Sequence, residues 1–153
     1  MRLIKLALLS VFFLFLIITA FSLLIPSHVR ISKAINLYAS KDSVFSLVNK
    51  ERWPEWHPAY RRDSAKFPEI NIISQNVSDS EIVMHLQQGG KRVVVNGWKL
   101  YDYVSTDSIT LQWYMDFNLR WYPWQKFASL FYENTYGKMM EEGLTNLKGV
   151  VEE

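Results

Sequence analysis

The chain has 153 residues, 17 Lys and Arg, 15 Asp and Glu and no cysteine, a length that allows one domain and an appendage. Without cysteine, disulfides, thiol nucleophiles and cysteine-held metals are excluded. Arg2 and Lys5 account for the whole net charge of +2, so residues 26–153 are neutral and mixed in sign; nucleic acid, which needs a concentrated basic face, is not an expected partner.

Residues 6–25 form an apolar run whose only polar members are Ser10, Thr19 and Ser22. In a helix that length spans about 30 Å, the hydrocarbon thickness of a bilayer. Residues 1–26 are therefore read as an N-terminal transmembrane anchor and residues 27–153 as the domain it carries. Ala20-Phe21-Ser22 offers small residues at the spacing of a signal-peptide cleavage site, but the run continues through Ile25, which favours an uncleaved, single-pass anchor. A short basic tail of Arg2 and Lys5 on the cytoplasmic side puts the domain on the extracytoplasmic side; Arg30, Lys33 and Lys41 pull the other way.

After the anchor, Val29, Ile31, Ile35 and Leu37 alternate with polar residues, the period of a half-buried strand. Ser40 stands where an N-cap belongs, and Val44, Phe45, Leu47 and Val48 predict a short helix to about Asn49. In Trp53-Pro54-Glu55-Trp56-His57-Pro58 two prolines forbid a long helix, which predicts a tight turn displaying two tryptophans, with residues 59–69 as polar loop.

Ile70, Ile72 and Ile73 open the next strand, and Ser78-Asp79-Ser80 turns into a third with Ile82, Met84 and Leu86 on one face. Gly89-Gly90 predicts a hairpin. In the strand within residues 91–103 the inward set changes phase near Asn96-Gly97, the mark of a bulge. Ile109, Leu111, Trp113, Met115, Phe117 and Leu119 then face one way, with Tyr114 and Asp116 among those facing the other. From Pro123, steps of three and four predict a helix to the C-terminus of roughly 40 Å. Its apolar stripe holds Phe127, Leu130 and Phe131, then Tyr136, Met139, Met140, Leu144, Leu147 and Val151. Gly137 and Gly143 cost a helix about 1 kcal/mol each relative to alanine, so a bend or a close approach is expected at Gly137. This order of elements is α+β.

Three segments carry a resemblance to a known group. They are Leu24-Ile25-Pro26-Ser27 followed by a strand and Ser43-Val44-Phe45; the Trp53-Pro54-x-Trp56-x-Pro58 turn; and Trp113-x-Met115 with Tyr122-Pro123-x-x-Lys126-Phe127, Gly137 and Gly143-Leu144-x-Asn146-Leu147-Lys148. With these the chain resembles the membrane-anchored branch of the START-like superfamily, also called SRPBCC or polyketide cyclase/dehydrase and lipid-transport proteins. The resemblance implies a helix-grip fold, a curved antiparallel sheet wrapped on the C-terminal helix with a hydrophobic cavity between them. The family's fuller members place six strands between the second short helix and the long one; about four are expected there in this chain, a shortened sheet.

Catalysis finds little support in the residues. His28, His57 and His85 lack the short spacings of a metal site, and no Gly-rich phosphate loop or nucleophile elbow is present. A solvated turn residue is the simpler reading of His57, although its neighbours could bring it to a pocket mouth. No catalytic residue, metal ligand or cofactor is assigned. The aromatic excess, six Trp, eight Tyr and five Phe beyond the anchor, fits either an apolar pocket or a filled core. Trp56, His57, Trp98, Trp113, Met115, Phe127 and Phe131 are the residues expected to line a pocket. The functional expectation is a membrane-tethered, noncatalytic domain holding a hydrophobic or lipid-like small molecule. The alternatives are a cyclase/hydrolase-type enzyme using the same pocket and a filled-core module that binds a protein partner. Trp121-Tyr122-Pro123-Trp124, between Arg120 and Lys126, reads either as a membrane-interface belt or as a packed hinge.

Overall fold

A computed structural model of the chain describes residues 2–63, 70–88, 93–102 and 108–152. Helix α1 (Arg2–Ser22) projects its apolar side chains outward, from Leu3 to Phe21, and is the one described helix long and apolar enough to cross a membrane. There follow β1 (His28–Leu37), α2 (Lys41–Val48), a 3₁₀ turn at Lys50–Arg52, α3 (Trp53–Trp56) and α4 (Pro58–Asp63). Strands β2 (Ile70–Val77), β3 (Glu81–Gln88), β4 (Val93–Asp102) and β5 (Ile109–Asn118) lead to α5 (Pro123–Ser129), a π-helical turn (Glu133–Gly137) and α6 (Lys138–Glu152). The expected Gly89-Gly90 hairpin turn lies outside the described residues.

All five strands form one antiparallel sheet in the order β1-β5-β4-β3-β2. The alternation in β3 and β5 is obeyed: Ile82, Met84 and Leu86, and Ile109 through Leu119 at odd positions, are buried in one core. Ser40 caps α2, its hydroxyl accepting the Ser43 N–H at 3.2 Å, and Val44, Leu47 and Val48 turn inward. From α6, Met140, Leu144 and Leu147 complete the core, and Asn146 Nδ2 donates to the Trp56 carbonyl at 3.1 Å, tying α6 to α3.

Several expectations are corrected. The β4 register is continuous with both neighbours, and the irregularity lies in β2, between Ile72 and Ser74. Val94, Asn96, Trp98 and Leu100 keep one phase; the polar Asn96 disguised it. Residues 53–63 are two short helices rather than a turn and loop.

The C-terminal helix is not continuous either. The chain turns at Leu130–Phe131 and passes through the π-helical turn before α6. A π-helical turn advances by more residues than an α turn, so the face that carries Phe127 and Phe131 does not run on into the face of Met140 and Leu144. Gly137 does mark a close approach. A Cβ there would lie 3.2 Å from Lys33 Cε and 2.9 Å from Glu133 Oε1. Lys33 passes this point to reach Glu133 at 2.7 Å and Glu141 at 2.6 Å. Hydrogen bonds to Glu133 and then Glu141 hold its ammonium above the usual lysine pKa.

The far face of β5 is also covered. Tyr114 and Asp116 are buried because Arg30 from β1 lies over them, donating twice to Asp116 at 2.6 Å and sitting 4.4 Å from the Tyr114 ring centre. Tyr114 crosses Gly97, its cross-strand neighbour, where a Cβ would fall 2.1 Å from the ring.

Candidate functional site

Asn49 leaves the helical conformation after α2, and the chain doubles back so that two indoles cap the helix it has just left. Trp53 Nε1 donates to the Val48 carbonyl and Trp56 Nε1 to the Leu47 carbonyl, both at 2.7 Å. Terminal helix carbonyls otherwise lack partners, so this closure satisfies polar groups at both ends while turning two large rings inward. Trp98 from β4 and Trp113 from β5 meet them, being cross-strand partners. Trp98 stacks on Trp113 at 5.9 Å, Trp53 lies 5.9 Å from Trp98, and Trp56 meets Trp113 edge-on at 5.4 Å.

His57 sits among these rings, 5.4–5.5 Å from Trp53, Trp56, Tyr60 and Trp113. It is 6 % exposed, an interior residue and not the solvated one expected. Burial drives its pKa down to about 4, so the imidazole is neutral at pH 7. Nδ1 accepts the Ala59 N–H at 3.3 Å, which leaves the ring proton on Nε2. All of these partners are aromatic or backbone. Among the described residues no carboxylate is one of these partners, and His57 is the C-cap residue of α3.

Two polar features of the cluster differ in kind. Trp113 Nε1 donates to Asn96 Oδ1 at 2.5 Å, both groups being buried. Trp98 Nε1 is buried with no acceptor among the described residues. Asn96 was missed by sequence reasoning, although its alternation with Trp98 and Leu100 signals an inward side chain. Tyr60, whose hydroxyl burial pushes to higher pKa, was missed because residues 59–69 read as loop.

Of the residues expected to line a pocket, Trp56, His57, Trp98 and Trp113 are brought together, and Met115 lies in the same core two residues along β5. Phe127 and Phe131 are not. Phe127 is half-buried outside the core cluster, and Phe131 is 65 % exposed. Their places against the sheet are taken by Met140, Gly143 and Leu144. Among the described residues no cluster of His, Asp and Glu could hold a metal.

No family model and no curated protein matches the chain. Solved structures do. The di-domain ARO/CYC StfQ from the steffimycin biosynthetic pathway superposes with a TM-score of 0.56 at 11 % identity, over 82 % of this chain and 51 % of that one. A Staphylococcus aureus protein of unknown function gives 0.56 at 12 %, over 82 % and 94 %. Norcoclaurine synthase from Thalictrum flavum gives 0.54 at 10 %, over 81 % and 94 %. The chain has the helix-grip fold. It spans about half the length of StfQ. The neighbours are of the polyketide aromatase/cyclase and SRPBCC-like kind, which agrees in fold with the resemblance read from the sequence.

Proposed function

We propose that the chain is a membrane-tethered, noncatalytic domain that binds a hydrophobic small molecule carrying a hydrogen-bond acceptor, held at the aromatic cluster between sheet and α6. The single observation that carries this reading is the buried indole N–H of Trp98, which has no partner among the described residues. An unsatisfied buried donor costs about 1–3 kcal/mol, a cost that a ligand carbonyl or ether oxygen would relieve. StfQ and norcoclaurine synthase, named for biosynthetic work, share the fold and are consistent with small-molecule binding on this scaffold. Helix α1 would keep the domain beside a membrane-dissolved ligand, raising its effective concentration, with the domain on the extracytoplasmic side.

One observation favours the filled-core alternative: the four tryptophans fill much of the space between sheet and helix with one another. The Trp98→Phe substitution separates the two. Where a ligand supplies the acceptor, native mass spectrometry of detergent-extracted wild type shows a bound mass, and W98F loses it. In a filled core no mass copurifies with the wild type, and the stability of W98F reflects the gain from removing an unpaired donor set against the loss of packed indole volume. That second result would overturn the ligand reading.

A further inference from the structure

We propose that α5 and the turns flanking it form a second membrane contact, seating the domain on the lipid–water interface beside its anchor. The proposal rests on the reading of α1 as a membrane helix. His28 and Asn118 pair at one end of the sheet. Helix α1 enters β1 at that end and α5 leaves β5 there, each separated from the sheet by a few residues. The two are then fastened together. Lys126 of α5 is 3 % exposed and donates to the Ile25 carbonyl and the Ser27 hydroxyl, both at 2.7 Å, at the point where the chain leaves α1.

At this junction the protein exposes large apolar side chains that the core does not use. Trp121 is 59 % exposed and Trp124 62 %, with Leu130 and Phe131 similar. Within Trp121-Tyr122-Pro123-Trp124, Pro123 is buried while the two indoles face outward. Tyr122 stacks on Trp124 at 4.9 Å and 10°, and Trp121 lies 4.9 Å from Tyr122. Tryptophan and tyrosine collect at the headgroup level, where an apolar ring and a polar N–H or O–H are both accommodated. No Asp or Glu occurs from Phe117 to Tyr132, while Arg120 is present and exposed. Nothing in the segment therefore repels an anionic headgroup. Its continuity with the anchor makes a bilayer the occupant that this surface fits.

The test uses the full chain, which has no cysteine of its own, reconstituted into phosphatidylcholine/phosphatidylglycerol vesicles. An environment-sensitive fluorophore is attached to A128C on α5, to F13C within α1, and to D79C in the β2–β3 turn at the opposite end of the sheet. Lipids brominated at shallow or deep acyl positions act as quenchers. The expected result is deep quenching at F13C, shallow quenching with a blue shift at A128C, and neither at D79C. Deep quenching at F13C with A128C as water-exposed as D79C would overturn the interface contact and leave the anchor intact. A blue shift at A128C without lipid quenching would mean that a second copy covers α5, and would also overturn it. No quenching at F13C would remove the anchor reading and this proposal with it.

Discussion

Gly143 on α6 and Trp113 on β5 meet so closely that a Cβ on Gly143 would lie 2.8 Å from Trp113 Cζ3 and 3.1 Å from Pro58 Cδ. The Trp113 ring has little freedom to give way, being stacked on Trp98, edge-on to Trp56 and bonded to Asn96. Gly143→Ala is expected to destabilise by about 1–3 kcal/mol through overpacking, despite alanine's better helix propensity. Gly149, in the same helix, has open space at its Cβ position, so Gly149→Ala is expected to stabilise by up to about 1 kcal/mol. Urea midpoints of the two variants in detergent check this; shifts of the same sign would contradict it.

Asn96→Ala removes the acceptor of the Trp113 indole. A buried donor left without a partner costs about 1–3 kcal/mol, to which the lost side-chain volume adds. Chemical denaturation measures the loss, and an indole N–H resonance of Trp113 that stays where it is in the wild type would refute the bond.

His57 carries a pH dependence of definite sign. Its folded pKa of about 4 lies below the ordinary 6.5, so between these values the unfolded chain binds more protons and stability rises with pH. The contribution is complete above about pH 6.5 and disappears as pH falls to about 4, amounting to about 3 kcal/mol. His57→Phe should flatten that part of the stability curve. In the wild type, NMR should show the His57 ring unprotonated at pH 5.5; a ring already half-charged there would sink the reading.

Lys126→Met keeps the aliphatic stem and removes both bonds to the α1–β1 junction. Charged hydrogen bonds contribute about 1.5–3 kcal/mol, so local opening should become easier by about that amount. The readout is hydrogen exchange at Leu119, whose N–H donates to the Ser27 carbonyl at 2.7 Å. Unchanged protection there would show that the junction does not depend on Lys126.

Local pattern by itself determined an apolar N-terminal helix (expected over residues 6–25, observed at Arg2–Ser22), the inward faces of β3 and β5, the N-cap at Ser40 and the Met140–Leu147 stripe of α6, because each is a property of residues two to four apart. What only the tertiary structure decided is which of these faces meet and what satisfies the polar groups between them. Asn96 reads as a break in β4 until Trp113, seventeen residues on, supplies its donor. Asp116 reads as a solvent-facing carboxylate until Arg30 covers it from the neighbouring strand. His57 reads as a turn residue until four rings from three segments close around it. Phe131 has the spacing of a core residue, yet a turn and a π-helical segment rotate it away from α6 and leave it exposed. Periodicity tells which side chains share a face; burial depends on partners distant in sequence, and those are assembled only when the sheet and helices close on one another.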